Sequence, residues 1–241
     1  MNTPRIQEYV RFILKNKWFL VFGFIMAFTS SFGQTFFIGL FTPSIEATFE
    51  LNHSQWGSIF MAGTLFSAAA LTFTGSQIDR MPLRRYSLLV CGCLAAACLL
   101  TAVAPTALFL IPAIFLLRHA GQGLATHTAL AGMIKNFRKD RGKAVAIAAL
   151  GFPAGRAALP IFTVMAIAEF GWRETYAGCG IIILLLIFPI ISTLLKNHPN
   201  TVPVHILNKS TFPSTHENFR VEPTLTKVLH TPHIYLIIPG L

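Results

Sequence analysis

The chain reads as an all-α membrane protein, a bundle of six transmembrane helices, and three observations predict this. Only 12% of its 241 residues are charged and 54% are hydrophobic, against about 25% charged in soluble proteins. Six apolar runs, at residues 18–41, 55–74, 86–104, 107–134, 144–168 and 176–195, reach the roughly 18 residues that a membrane-crossing helix requires. Lysine and arginine fall almost wholly in alternate connections between those runs.

Residues 1–17 carry Arg5, Arg11, Lys15 and Lys17 and form a cytoplasmic N-terminal segment; residues 18–195 form the six-helix bundle. The first run, at 24 residues, exceeds the roughly 7–15 of a cleaved signal core and stays as a helix. Asn52-His53-Ser54 fits a glycosylation pattern but crowds the start of the second run. Pro105-Thr106 joins the third and fourth runs, and Glu169 to Thr175 joins the fifth and sixth. Such short connections make consecutive helices antiparallel neighbours. The fourth run is longer than a bilayer needs, so it is tilted or lies partly in the interface.

Residues 196–231, rich in Pro, His, Thr and Asn, read as a cytoplasmic linker. Residues 232–241 then begin a further apolar run, long enough for about half of a hydrocarbon core near 30 Å thick. A helix stopping there leaves carbonyls unpaired in lipid. The expectation is an incomplete seventh transmembrane helix, the chain being truncated after its linker and lacking a C-terminal half; the alternative is a tail lying on the membrane surface.

A net charge of +10 suggests nucleic acid only if the basic residues share one face or stripe. They do not. Four lie before the first run, three after the second, five after the fourth (Lys135, Arg138, Lys139, Arg141, Lys143) and four after the sixth, while the opposite connections hold only Arg173. This places the N-terminus in the cytoplasm of a multi-pass protein of the cell membrane. Trp18, Trp56 and Trp172 sit at the ends of runs, where indole favours the headgroup level. Cys91, Cys93, Cys98 and Cys179 lie within apolar runs without metal-ligand spacing, as small apolar fillers. No metal or other cofactor is implied.

The connection from Gly75 to Arg85 reads Gly-Ser-Gln-Ile-Asp-Arg-Met-Pro-Leu-Arg-Arg. With six runs around it and a long linker before a seventh, it resembles the major facilitator superfamily of secondary transporters, whose loop runs Gly-x-Leu-Ala-Asp-Arg-x-Gly-Arg-Arg/Lys. Gly75, Asp79, Arg80 and Arg84 match; Gln77, Pro82 and Leu83 depart from the pattern. Arg118-His119-Ala120-Gly121-Gln122-Gly123, Arg141-Gly142-Lys143-Ala144 and Gly171-Trp172-Arg173 follow in family order, although the glycines after Arg118 come one residue early. Gly151-Phe152-Pro153-Ala154-Gly155 is similar to the glycine-proline motif of the fifth helix. The resemblance implies a bundle of the major facilitator type, forming the N-terminal half of a transporter, with Asp79 as a conformational latch against the other half.

The residues themselves support parts of that reading. Gly75 allows a close helix approach, and Asp79 can accept hydrogen bonds from arginines or remain part of a solvated loop. Gly151 and Gly155, four apart, favour helix packing, and Pro153 and Pro160 can kink the span.

Arg118 and Arg156 lie deep in their runs, where a charge is costly and lines a cavity or finds a partner, and no acid lies well inside any run. At 100° per residue, Arg118, His119, Gln122 and Thr126 share an arc of about 100°. Together with Gln34 of the first run, beside Thr29, Ser30, Ser31 and Thr35, they form a candidate substrate site for an organic anion or carboxylate. The competing reading pairs the arginines with carbonyls or with an acid of the absent half, and for Arg156 carbonyls freed by Pro153 are the stronger competitor. His119 can couple transport to protons or bridge two helices. The hydroxyls and Gln34 can serve equally as interhelical glue.

No paired acids, nucleophile with base, or His-Glu-x-x-His accompanies these residues, which argues against catalysis. No nucleotide-binding loop supplies ATP. The sequence therefore points to secondary active transport of a small solute, by symport or antiport; the alternative is a truncated, non-transporting membrane fragment or interaction partner. The partners implied are the lipid bilayer, a small-molecule substrate, protons and the absent half, and not nucleic acid.

Overall fold

The computed structural model describes residues 3–196. Nearly all of the expected linker and the whole of the run at 232–241 lie outside the described residues. Six helices are long and apolar enough to cross a membrane: Gln7–Gly39, His53–Thr74, Leu83–Ala102, Ala107–Asn136, Arg141–Phe170 and Trp172–Leu194. They are called the first to the sixth helix below. Among the described residues there is no strand, as the chemistry of lipid demands, because a helix pairs its backbone groups within one segment.

The first, third and fourth helices are 61%, 56% and 56% buried, against 17%, 22% and 28% for the second, fifth and sixth. The former three therefore make the core. Around it, the second helix packs on the fourth, the sixth on the third and the fifth on the first. On the first helix Phe19, Phe22, Met26 and Ser30 are buried at helical spacing, together with Leu20, Ala27 and Ser31 one residue round. Leu65, Phe66, Phe162, Met165 and Leu185 stay exposed on the flanking helices.

The ends are set by local chemistry. Asn52 and Gln55 form a reciprocal capping box at the start of the second helix, with bonds of 2.8 and 2.9 Å. Gly171, at φ 91°, makes the turn from fifth to sixth helix in a conformation that a side chain would strain. Arg173 donates to the carbonyls of Ala102 at 3.0 Å and Ala104 at 2.8 Å, covering the end of the third helix. A short helix, Thr42–Phe49, lies between the first two spans. Trp56 Nε1 donates to Thr42 Oγ1 and Trp172 Nε1 to Thr48 Oγ1, so these two indoles are buried against protein. Trp18 alone of the three is exposed.

Four helices are irregular where the sequence pattern suggested continuity. The first tightens into a 3₁₀ turn at Ser30–Gly33, extends at Gln34 (φ −79°, ψ 152°) and resumes at Thr35–Gly39. The fourth widens into a π-helical stretch at Arg118–Ala125, and the sixth does so at Ile183–Ile187. The fifth resets at Leu150, between segments Arg141–Ala149 and Gly151–Phe170. Pro153 explains that reset, since it has no N–H to offer the Ala149 carbonyl. Pro160 lies within the second of those segments.

Candidate functional site

The irregular parts of the first, fourth and fifth helices meet in the middle of the bundle. Gly33 lies directly on the fourth helix: a Cβ there would come within 2.7 Å of Gly121 Cα and 2.9 Å of the Gln122 nitrogen. On the other side of the first helix, a Cβ at Gly151 would lie 2.7 Å from the Phe28 nitrogen, and one at Gly155 would lie 2.9 Å from Ser31 Cβ. The fifth helix thus turns its two glycines to the first. On a 3.6-residue helix Phe152, Pro153 and Arg156 then share the neighbouring face.

That face borders a cavity of about 330 Å³ lined by Ser31, Gln34, Phe36, Thr126, Phe152, Pro153 and Arg156. The break at Gln34 supplies the opening, because backbone departing from the helix leaves room beside it. The Thr126 hydroxyl is buried at the wall with no hydrogen-bond partner among the described residues. Arg156 is exposed, with its guanidinium carbon 5.8 Å from the centroid of Phe36. A larger groove of about 680 Å³, bounded by residues such as Phe28, Phe162 and Leu186, is almost wholly apolar and offers little to orient a polar solute.

The four polar side chains of the fourth helix do not share one arc. Arg118 is buried and donates from Nη1 to Thr35 Oγ1 at 2.8 Å, with its guanidinium 5.3 Å from the Phe60 centroid. His119 turns to the second helix, its Nε2 lying 3.1 Å from Thr74 Oγ1, and stacks on Phe115. Thr74 Oγ1 also lies 2.9 Å from the Ala70 carbonyl, so its hydroxyl stands between that carbonyl and the ring. Gln122 is exposed and stands outside the cavity lining, whereas Thr126 is part of it. The π stretch at Arg118–Ala125 widens the arc, since its i→i+5 bonding turns less than 100° per residue.

Of the sequence-derived candidates, then, the cavity brings together Gln34 and Thr126, while Arg118, His119 and Gln122 face elsewhere. Arg156, Phe36 and Phe152 complete the lining. The hydroxyls of Thr29 and Ser30 return to carbonyls of their own helix, Ile25 and Ala27. They are not interhelical glue.

At one end of the bundle, Gly75–Asp79 forms a 3₁₀ turn. Among the described residues a Cβ at Gly75 meets nothing within 4 Å. Arg80 is exposed. Arg84 reaches the sixth helix, its Nη2 donating to Ser192 Oγ at 2.8 Å and its Nε to the Ser192 carbonyl at 3.3 Å. Lys135 of the fourth helix donates to the Ile78 carbonyl at 3.2 Å. The basic loop is therefore tied to two helices. Among the described residues no group of three or more His, Cys, Asp or Glu could hold a metal ion, and all four cysteines are free.

The family model of the Major Facilitator Superfamily matches residues 23–241. The chain belongs to that superfamily and is a multi-pass membrane protein of a group whose members are transporters rather than enzymes. No match is found among curated proteins or among solved structures.

Proposed function

We propose that the chain carries out secondary active transport of a small organic anion, the bundle acting as one half of an alternating-access transporter. The observation that supports this reading best is the cavity at the meeting of the first, fourth and fifth helices. It lies beside a discontinuous helix, the feature that secondary transporters use to bind solutes near the midplane, and it joins Gln34 and Thr126 to an arginine that has no acidic partner among the described residues. Rocking against a second six-helix bundle would open the cavity to each side in turn. The sixteen-to-one distribution of basic residues between alternate connections supports an N-terminus in the cytoplasm and a place in the cell membrane.

Within this reading His119 carries the coupling proton, as an imidazole can, and Arg118 supports the site from the fourth helix through its bond to Thr35, the neighbour of Gln34. Arg84 and Lys135 hold the Gly75–Arg80 turn, so that Asp79 can latch the conformational state.

The test is uptake into proteoliposomes bearing the full chain, without ATP, comparing radiolabelled organic anions with neutral and cationic solutes of like size. Saturable anion uptake that responds to an imposed proton gradient is expected. Equal uptake of all three classes, or uptake only with ATP, would remove the proposal.

A further inference from the structure

We infer that Arg156 is the anion anchor of the cavity and that the cavity selects small monocarboxylates with an apolar body. The inference rests on the transport reading and names the solute class for the same site.

The two intramembrane arginines are placed differently. Arg118 is buried, with Nη1 bonded to Thr35 and its face covered by Phe60. Arg156 is exposed at the cavity, with Phe36 beneath its guanidinium, and no acid or hydrogen-bond acceptor among the described residues pairs with it. Cation–π contact holds the guanidinium by its face. Its edge keeps the planar fork of donors that matches a carboxylate. The local fold enforces this position: Gly151 and Gly155 seat the fifth helix on the first, and the turn that carries Phe152, Pro153 and Arg156 can then point only beside that contact.

The lining sets the rest of the specificity. With one cation and no second basic residue among the described residues that line the cavity, a dianion would bring a charge into low dielectric without compensation. The amide of Gln34 and the hydroxyl of Ser31 can serve a second oxygen or a small polar substituent. Phe36, Phe152 and Pro153 give an apolar wall to the remainder of the solute. A volume of about 330 Å³ stands at the lower end of ligand pockets, which favours molecules the size of lactate or benzoate.

The full chain, purified in detergent, is titrated with lactate, pyruvate, benzoate, succinate and benzamide, and binding is read as a shift in melting temperature. At least one monocarboxylate should stabilise the wild type, succinate and benzamide much less. Arg156→Gln should weaken monocarboxylate affinity by at least about tenfold, as loss of a charge-assisted bond implies, with ligand-free melting unchanged because the side chain is exposed. Arg156→Lys should fall between the two. Unchanged affinity in Arg156→Gln, with the monocarboxylates still preferred, overturns the anchor and leaves anion transport standing. Benzamide binding as well as benzoate overturns the anionic reading itself. Tighter binding of succinate, or no stabilisation by any monocarboxylate at millimolar concentration, overturns the selectivity.

Discussion

Gly33 and Gly121 meet backbone to backbone where the tightened part of the first helix crosses the widened part of the fourth: a Cβ at Gly121 would lie 2.6 Å from Gly33 Cα. Both neighbours are main chain, so neither can swing aside. Gly121→Ala should destabilise the bundle by about 1–3 kcal/mol through overpacking. Gly92→Ala, where an added Cβ meets nothing within 4 Å, should be neutral or stabilise by up to about 1 kcal/mol. Thermal melting in detergent compares the two; equal effects would show that the crossing is not tight.

The Arg118–Thr35 bond joins the same two helices by a side-chain route, at 2.8 Å and with Arg118 buried. Arg118→Gln and Thr35→Val should each destabilise, and the double variant should lose less than their sum. A coupling of about 1 kcal/mol or more is expected from groups in direct contact. Strict additivity would mean that the hydrogen bond contributes nothing, and would return Arg118 to the cavity as a free cation.

Composition and run length made the six spans legible, and each of the six transmembrane helices overlaps its expected run, because a bilayer imposes one length and one polarity. The site was only half legible. Gln34 and Thr126 stood out as polar residues in apolar runs. The arc drawn through Arg118, His119, Gln122 and Thr126 assumed regular pitch, and no sequence signal announces the π stretch at Arg118–Ala125. The break at Gln34 was hidden for a similar reason, since Ser30 and Ser31 break a helix only when packing favours it. Arg156 was visible as a buried-span cation, yet its neighbour Pro153 suggested freed carbonyls as partners. The Gly151 and Gly155 contacts with the first helix turn it to the cavity instead, and only tertiary structure could show that.

His119 and Thr74 form a second relationship with a functional consequence. Thr74 Oγ1 lies 2.9 Å from the Ala70 carbonyl and 3.1 Å from Nε2 of His119, a partner that holds the orientation of the ring. If His119 carries the coupling proton, His119→Gln should keep downhill exchange of substrate while abolishing accumulation driven by a proton gradient. Thr74→Val, which removes that partner, should displace the pH profile of uptake without changing its direction. Gradient-driven accumulation surviving in His119→Gln would show that the ring only bridges two helices.

Arg173 completes the other end of the bundle, and its role follows from the carbonyls it meets. Ala102 and Ala104 are 7% and 0% exposed, so their carbonyls at the end of the third helix have little access to water. Nη1 of Arg173 reaches both, while its guanidinium lies 4.5 Å from the Trp172 centroid and 5.6 Å from that of Phe49. A bond from a charged donor contributes about 1.5–3 kcal/mol, and stranding a buried acceptor costs a similar amount. Arg173→Gln should therefore destabilise the protein by roughly 2–4 kcal/mol. Arg173→Lys keeps the charge but loses the planar fork and its aromatic stacking, and should recover only part of that loss. Thermal melting of the two variants measures this. Labelling of a cysteine introduced at Thr106 reports whether topology is retained, and it should be, since topology depends on the basic residues of the alternate connections rather than on this one. A melting temperature unaffected by Arg173→Gln would mean that water reaches those carbonyls and that the cap is dispensable.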